Sequence, residues 1–84
     1  MQLTEIGDFI RGRVSVYVAR PIEQIRLDQA FADYGLDSVS AVTLCADIED
    51  HLNVPVEPTL AWDYPTIGEM AVHLSGLAQA KVAR

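Results

Sequence analysis

Residues 38–52 read Ser-Val-Ser-Ala-Val-Thr-Leu-Cys-Ala-Asp-Ile-Glu-Asp-His-Leu. Placed at about 100° per residue, their apolar members separate into two groups. Ala41, Leu44, Cys45, Ile48 and Leu52 share one face, which is the pattern of a helix packed on a core. Val39, Val42 and Ala46 fall on the other side, among Thr43, Asp47, Glu49 and Asp50. The stretch therefore predicts a helix that shows solvent a small apolar strip ringed by carboxylates. Such a strip fits a partner-docking face, and it equally fits ordinary surface valines.

Upstream, Leu3, Ile6, Ile10, Val14 and Tyr17 recur at spacings of three and four, which predicts a helix from about Thr4 to Ala19. Thr4 can cap its start, Glu5 and Asp8 suit the positive end of its dipole, and Arg20-Pro21 ends it. Between the two helices, residues 21–37 form a long connection. Its segment Asp28–Tyr34 has the composition of one or two helical turns, with Ile25, Leu27, Phe31 and Leu36 turned inward and Gly35 as a left-handed exit. Downstream, Pro55 and Pro58 break the helical pattern, Thr59–Asp63 suits a short helix, and Thr66-Ile67-Gly68-Glu69 has the spacing of a capping box. A last helix follows, with Ile67, Met70, Ala71 and Leu74 on its core face, a stop at Ser75-Gly76 and a frayed tail over 77–84. Period-two alternation does not rise above noise. The expected fold is all-α: a small bundle of three main helices plus one or two short ones, as one domain over residues 1–76.

At 84 residues, half of them hydrophobic, the chain has material for one core and no more. Cys45 is the single cysteine, so neither a disulfide framework nor a cysteine-rich zinc site can form within the chain. With no long apolar run and no signal-like start at Met1-Gln2-Leu3-Thr4-Glu5, the expectation is a soluble, cytoplasmic protein with no membrane contact. The formal charge of −6 is concentrated: Leu27–Ala80 holds nine carboxylates and no Lys or Arg. That surface repels phosphate backbones, which argues against nucleic acid and for a basic protein partner.

Enzyme chemistry lacks the parts it needs. His51 and His73 are the only histidines, and Glu49-Asp50-His51 diverge by about 100° per residue on a helix, so no metal is expected. Ser38, His51 and Asp37 cannot form a triad, because Ser38 and His51 lie roughly 20 Å apart along a helix. Cys45 sits on the core face and reads as a small hydrophobe rather than a nucleophile. Ser38 remains, either as a helix N-cap or as an exposed hydroxyl where a phosphate ester would meet the helix's free amides.

These residues also carry a resemblance. Gly35-Leu36-Asp37-Ser38-Val39 resembles the attachment motif of acyl carrier proteins, and Trp62-Asp63-Tyr64-Pro65-Thr66 resembles the segment opening the last helix of polyketide-synthase carrier domains. The likeness spans about residues 3–76. It implies a non-catalytic protein with 4′-phosphopantetheine, taken from coenzyme A, on Ser38 between Asp37 and Val39, its thiol holding acyl or ketide groups as thioesters. It further implies docking through Val39, Val42, Ala46, Glu49 and Asp50. The implied partners are a phosphopantetheinyl transferase and the enzymes of polyketide or fatty-acid synthesis: a ketosynthase, an acyltransferase or an acyl ligase with basic surfaces. The carrier itself is expected to be a monomer. The Asp63-Tyr64-Pro65-Thr66 block tips the resemblance toward the polyketide branch, and the sequence departs from the family at Val39, where leucine is usual, and at Ser40 and Thr43, where fatty-acid carriers hold acids. Two other readings stay open: an aminoacyl carrier of a peptide synthetase, and a helical interaction domain in which Ser38 is only a cap.

Overall fold

The computed structural model describes residues 2–82. Four α-helices, α1 (Leu3–Val18), α2 (Ser38–Leu52), α3 (Leu60–Asp63) and α4 (Ile67–Val82), are joined by connections that carry two 3₁₀ turns, Ile22–Gln24 and Phe31–Tyr34. No strand occurs among the described residues, and the one β-like contact is an isolated bridge between Ala30 and Thr66.

The apolar periodicity becomes the core. Ile6, Ile10 and Val14 of α1 meet Ala41, Leu44, Cys45 and Ile48 of α2 and Ile67, Met70, Ala71 and Leu74 of α4 in one buried cluster. Of the two ends of the α1 stripe, Leu3 leaves it at 47% exposure, while Tyr17 is half-buried and packs against the cluster's edge. Thr4 does not cap α1, because the helix starts one residue earlier, at Leu3 behind Gln2, with no side-chain cap. At the other end the chain turns before Arg20-Pro21. Ala19 adopts a left-handed φ of 54°, and the amide of Arg20 bonds back to the carbonyl of Ser15 at 3.2 Å.

Polar contacts fasten α1 to α2 in an antiparallel sense. Phe9 stacks on His51 with ring centroids 3.9 Å apart, and Arg13 reaches Asp47 at 3.2 Å. The Tyr17 hydroxyl donates to the same Asp47 carboxylate. The long connection is pinned as well. Arg11 donates to the carbonyls of Ile25 and Ile22, each at 3.0 Å, and Ile25, Phe31 and Tyr34 are buried. Gly35 takes the expected left-handed exit at φ 78°.

Leu27 departs from expectation: its side chain is 50% exposed, and its carbonyl instead accepts from the Gly68 amide at 2.8 Å. A Cβ on residue 68 would stand 3.1 Å from that carbonyl, so glycine permits the approach. Half of the capping box forms as drawn, since the Glu69 amide donates to the Thr66 hydroxyl at 3.2 Å. The Glu69 carboxylate, however, accepts from that hydroxyl rather than from the Thr66 amide. Ser75-Gly76 does not stop α4 either. Leu74 and Ala78 are both buried on the same face, and that packing carries the helix through Gly76 to Val82. α4 thus runs into the tail expected to fray over 77–84 as far as Val82, and residues 83–84 lie outside the described residues.

Candidate functional site

Ser38 is the first residue of α2 and is exposed, but it is not the cap. Asp37 holds that place, its Oδ1 accepting from the Ser40 amide at 2.7 Å. Asp and Ser are nearly equivalent as N-caps, so the sequence alone could not choose between neighbours. The consequence is chemical. With Asp37 closing the first turn, the Ser38 hydroxyl has no hydrogen bond within the protein among the described residues, and it sits at the positive end of a 15-residue helix. The Ser40 amide also pulls the Asp37 carboxyl below its ordinary value, so residue 37 is a carboxylate at neutral pH.

Beside Ser38 lies a hollow of about 260 Å³ with an apolar floor of Phe31, Ala41 and Ala61 and a wall of Trp62, which is 58% exposed. Three separate elements build it. The second 3₁₀ turn brings Phe31, α2 brings Ala41, and α3 brings Ala61 and Trp62. A backbone bond from the Phe31 amide to the Pro65 carbonyl, at 2.8 Å, holds the rim together. In the sequence Trp62 stands out only as part of the Trp62-Asp63-Tyr64-Pro65-Thr66 segment. Its place at the site depends on the short helix α3, which two prolines and a four-residue length leave almost without periodic signal.

The strip predicted on the outer face of α2 lies where the periodicity puts it. Val39 is 74% exposed, Val42 is 44% exposed and Ala46 is exposed. The two carboxylates behind it differ. Asp50 is exposed near Arg13 and His51, whereas Glu49 accepts from the Val56 amide at 2.9 Å and so latches the connection that follows α2. Cys45 is buried, its thiol weakly bonded to the Pro58 carbonyl at 3.8 Å, and burial pushes that thiol above its ordinary pKa. No cluster of three or more potential metal ligands occurs among the described residues.

The site fits a covalently attached phosphopantetheine: a free hydroxyl at a helix start can take the phosphodiester, and an apolar hollow adjoins it. Comparison with known proteins agrees. Residues 8–74 match the family model described as phosphopantetheine attachment site. The chain is 40% identical over 67 residues to 6-methylsalicylic acid synthase of Penicillium expansum, covering 80% of this chain and 4% of that protein. It is 33% identical over 67 residues to polyketide synthase PksM of Bacillus subtilis, covering 80% of this chain and 2% of that one. Among solved structures it resembles a free-standing peptidyl carrier protein from Acinetobacter baumannii (TM-score 0.85, 39% identity, 89% of this chain and 94% of that one). It also resembles the HMG-ACPI domain of the CurA module from Lyngbya majuscula (TM-score 0.84, 27% identity, 95% of this chain and 82% of that one). A four-helix carrier fold with a family match over most of its length leads to one conclusion: the chain belongs to the phosphopantetheine attachment family, whose members are non-catalytic carriers of covalently bound 4′-phosphopantetheine.

Proposed function

We propose that residues 1–76 form the carrier unit of a polyketide-type assembly line, loaded on Ser38. The observation that carries this reading is the Ser38 hydroxyl, left free at the start of α2 because Asp37 does the capping. Attached phosphopantetheine supplies a thiol that holds acyl groups as thioesters. The protein's own residues do the rest. Ser38 provides the ester oxygen, and the first turn of α2 offers amides and a positive dipole end to the phosphodiester. Asp37 keeps that turn closed. Val39, Val42 and Ala46 set the register of docking, and Glu49 and Asp50 steer basic partners, a phosphopantetheinyl transferase first and synthase enzymes afterwards. Tethering raises the local concentration of the acyl group at each active site, so delivery does not wait on free diffusion. Docking is correspondingly brief, through few contacts and by a monomer in the cytoplasm.

Incubation with coenzyme A and a promiscuous phosphopantetheinyl transferase tests the assignment. Intact mass is expected to show one pantetheinyl adduct on the wild type and none on Ser38→Ala. An adduct that persists in a folded Ser38→Ala protein, or that maps to Ser15, Ser40 or Ser75, overturns it. The likeness to the Acinetobacter peptidyl carrier supports a second reading, in which the thioester is aminoacyl. Loading with matched malonyl and aminoacyl coenzyme A and challenge by a ketosynthase separates the two.

A further inference from the structure

Three hollows adjoin along the outer side of α4. The first, about 270 Å³, lies among Leu3, Gly7, Asp8, Leu27, Gly68 and Val72. A second shares Gly68 and Val72 with it and reaches Tyr64, Glu69 and His73. The third shares Tyr64 and His73 and continues to Glu57, Asp63 and Leu77. Together they form one surface, and none of its residues belongs to α2, so it is separate from the Val39 strip.

Two properties of this surface point to an occupant. Its apolar residues are uncovered: Val72 is 62% exposed, and Leu3, Leu27 and Leu77 stand out beside it. Its charge is one-sided. Asp8, Glu57, Asp63 and Glu69 border the hollows, and among the described residues no Lys or Arg lines any of them. Two cations of the neighbouring segments already have partners. Arg11 donates to two backbone carbonyls and lies 3.9 Å from Asp8, and Arg26 is paired with Asp28 at 3.0 Å. His73, the remaining titratable group besides Tyr64, is stacked on the Tyr64 ring.

We propose that this α4 face is a second docking surface, which binds an amphipathic helix bearing lysine or arginine from a partner protein while Ser38 is presented on another side. From Gly68 to Leu77 the face runs roughly 13 Å along α4, a length on which a docked helix sets two or three anchors. A second copy of this chain would bring the same carboxylates against themselves. An anionic lipid surface would be repelled in the same way. The proposal does not depend on the chemistry at Ser38, whose failure would be read separately by mass.

The probe is a synthetic amphipathic helix with leucines at spacings of three and four and lysines beside them, titrated into the ¹⁵N-labelled full chain. Saturable amide shifts are expected at Gly7, Leu27, Gly68, Val72 and Leu77. Leu3→Lys and Val72→Lys, both at exposed positions, should each weaken binding at least tenfold with unchanged melting, while Val39→Asp leaves it within twofold. Shifts centred on Val39, Val42 and Ala46 would overturn the proposal. So would equal binding of a control with serine in place of leucine, binding to phosphatidylserine vesicles through Val72, dimerisation without peptide, or the absence of saturable binding.

Discussion

At the scale of single residues, Val39 and Ile48 share a helix and face opposite fates. Val39 is 74% exposed next to Ser38, and Ile48 is wholly buried. Val39→Asp is expected to stay within about ±0.5 kcal/mol of wild-type stability while sharply slowing pantetheinyl transfer to Ser38. Ile48→Asp places an unpaired charge in the core and is expected to cost at least about 3 kcal/mol. Thermal melts and transferase kinetics on the two variants check the pair, and a large loss of stability in Val39→Asp would place the strip in the core. Both residues were legible from spacing alone, because on a helix with one buried face each position's environment follows from its angle. Asp37 was not legible as the cap, since two cap-competent residues stand side by side and only the backbone turn selects one.

Among the elements, α1 shows how a helix end can be set against local preference. Ala19 holds a left-handed φ of 54° as the residue that ends it. For an L-residue with a Cβ that conformation costs about 1–2 kcal/mol, a cost that glycine avoids. Ala19 is exposed, so no packing is lost on substitution. Ala19→Gly is expected to raise stability by about 1 kcal/mol, seen as a rise of about 4–8 °C in melting temperature; a lower melting temperature would contradict it. The interior of each long helix could be read from its apolar period and the bounds of α2 from its flanking residues, whereas the start of α1, the end of α4 and the place of Leu27 could not. α4 outruns its glycine because Ala78 still finds the core. Leu27 turns outward because its carbonyl, not its side chain, makes the contact with α4. Such choices are tertiary, and a propensity of a fraction of a kcal/mol per residue does not decide them.

For the molecule as a whole, the charge asymmetry is the dominant long-range property. The domain measures 38 × 23 × 18 Å, well beyond the screening length of about 8–10 Å at ordinary ionic strength but comparable with the length of about 30 Å at 0.01 M salt. A basic partner therefore feels the acidic span from Leu27 to Ala80 as one field at low salt. Asp50 is the appropriate probe of that field, since Glu49 also holds the Val56 amide. Asp50→Lys is expected to slow transferase association several-fold at low salt, with a shallower salt dependence and an unchanged melting temperature. Stopped-flow association at a series of salt concentrations checks this, and a wild-type rate that ignores salt would overturn it. The acidity was evident from composition, but its division between two faces, one on α2 and one on α4, needed the packing.

The burial of Cys45 has a chemical consequence for a protein that holds a reactive acyl group. On the proposed attachment, an arm tethered at Ser38 would keep its thioester near the protein surface at an effective concentration in the millimolar range. Any accessible thiolate within that radius would attack the thioester carbonyl, and the acyl group would migrate from the arm to the protein by sulfur-to-sulfur exchange. Cys45 lies only two helical turns from Ser38 along α2, yet its sulfur is packed against the core beneath Pro58, with its ionisation suppressed. The chain's single thiol is thus withheld from self-acylation, and the cargo stays where the next enzyme can collect it.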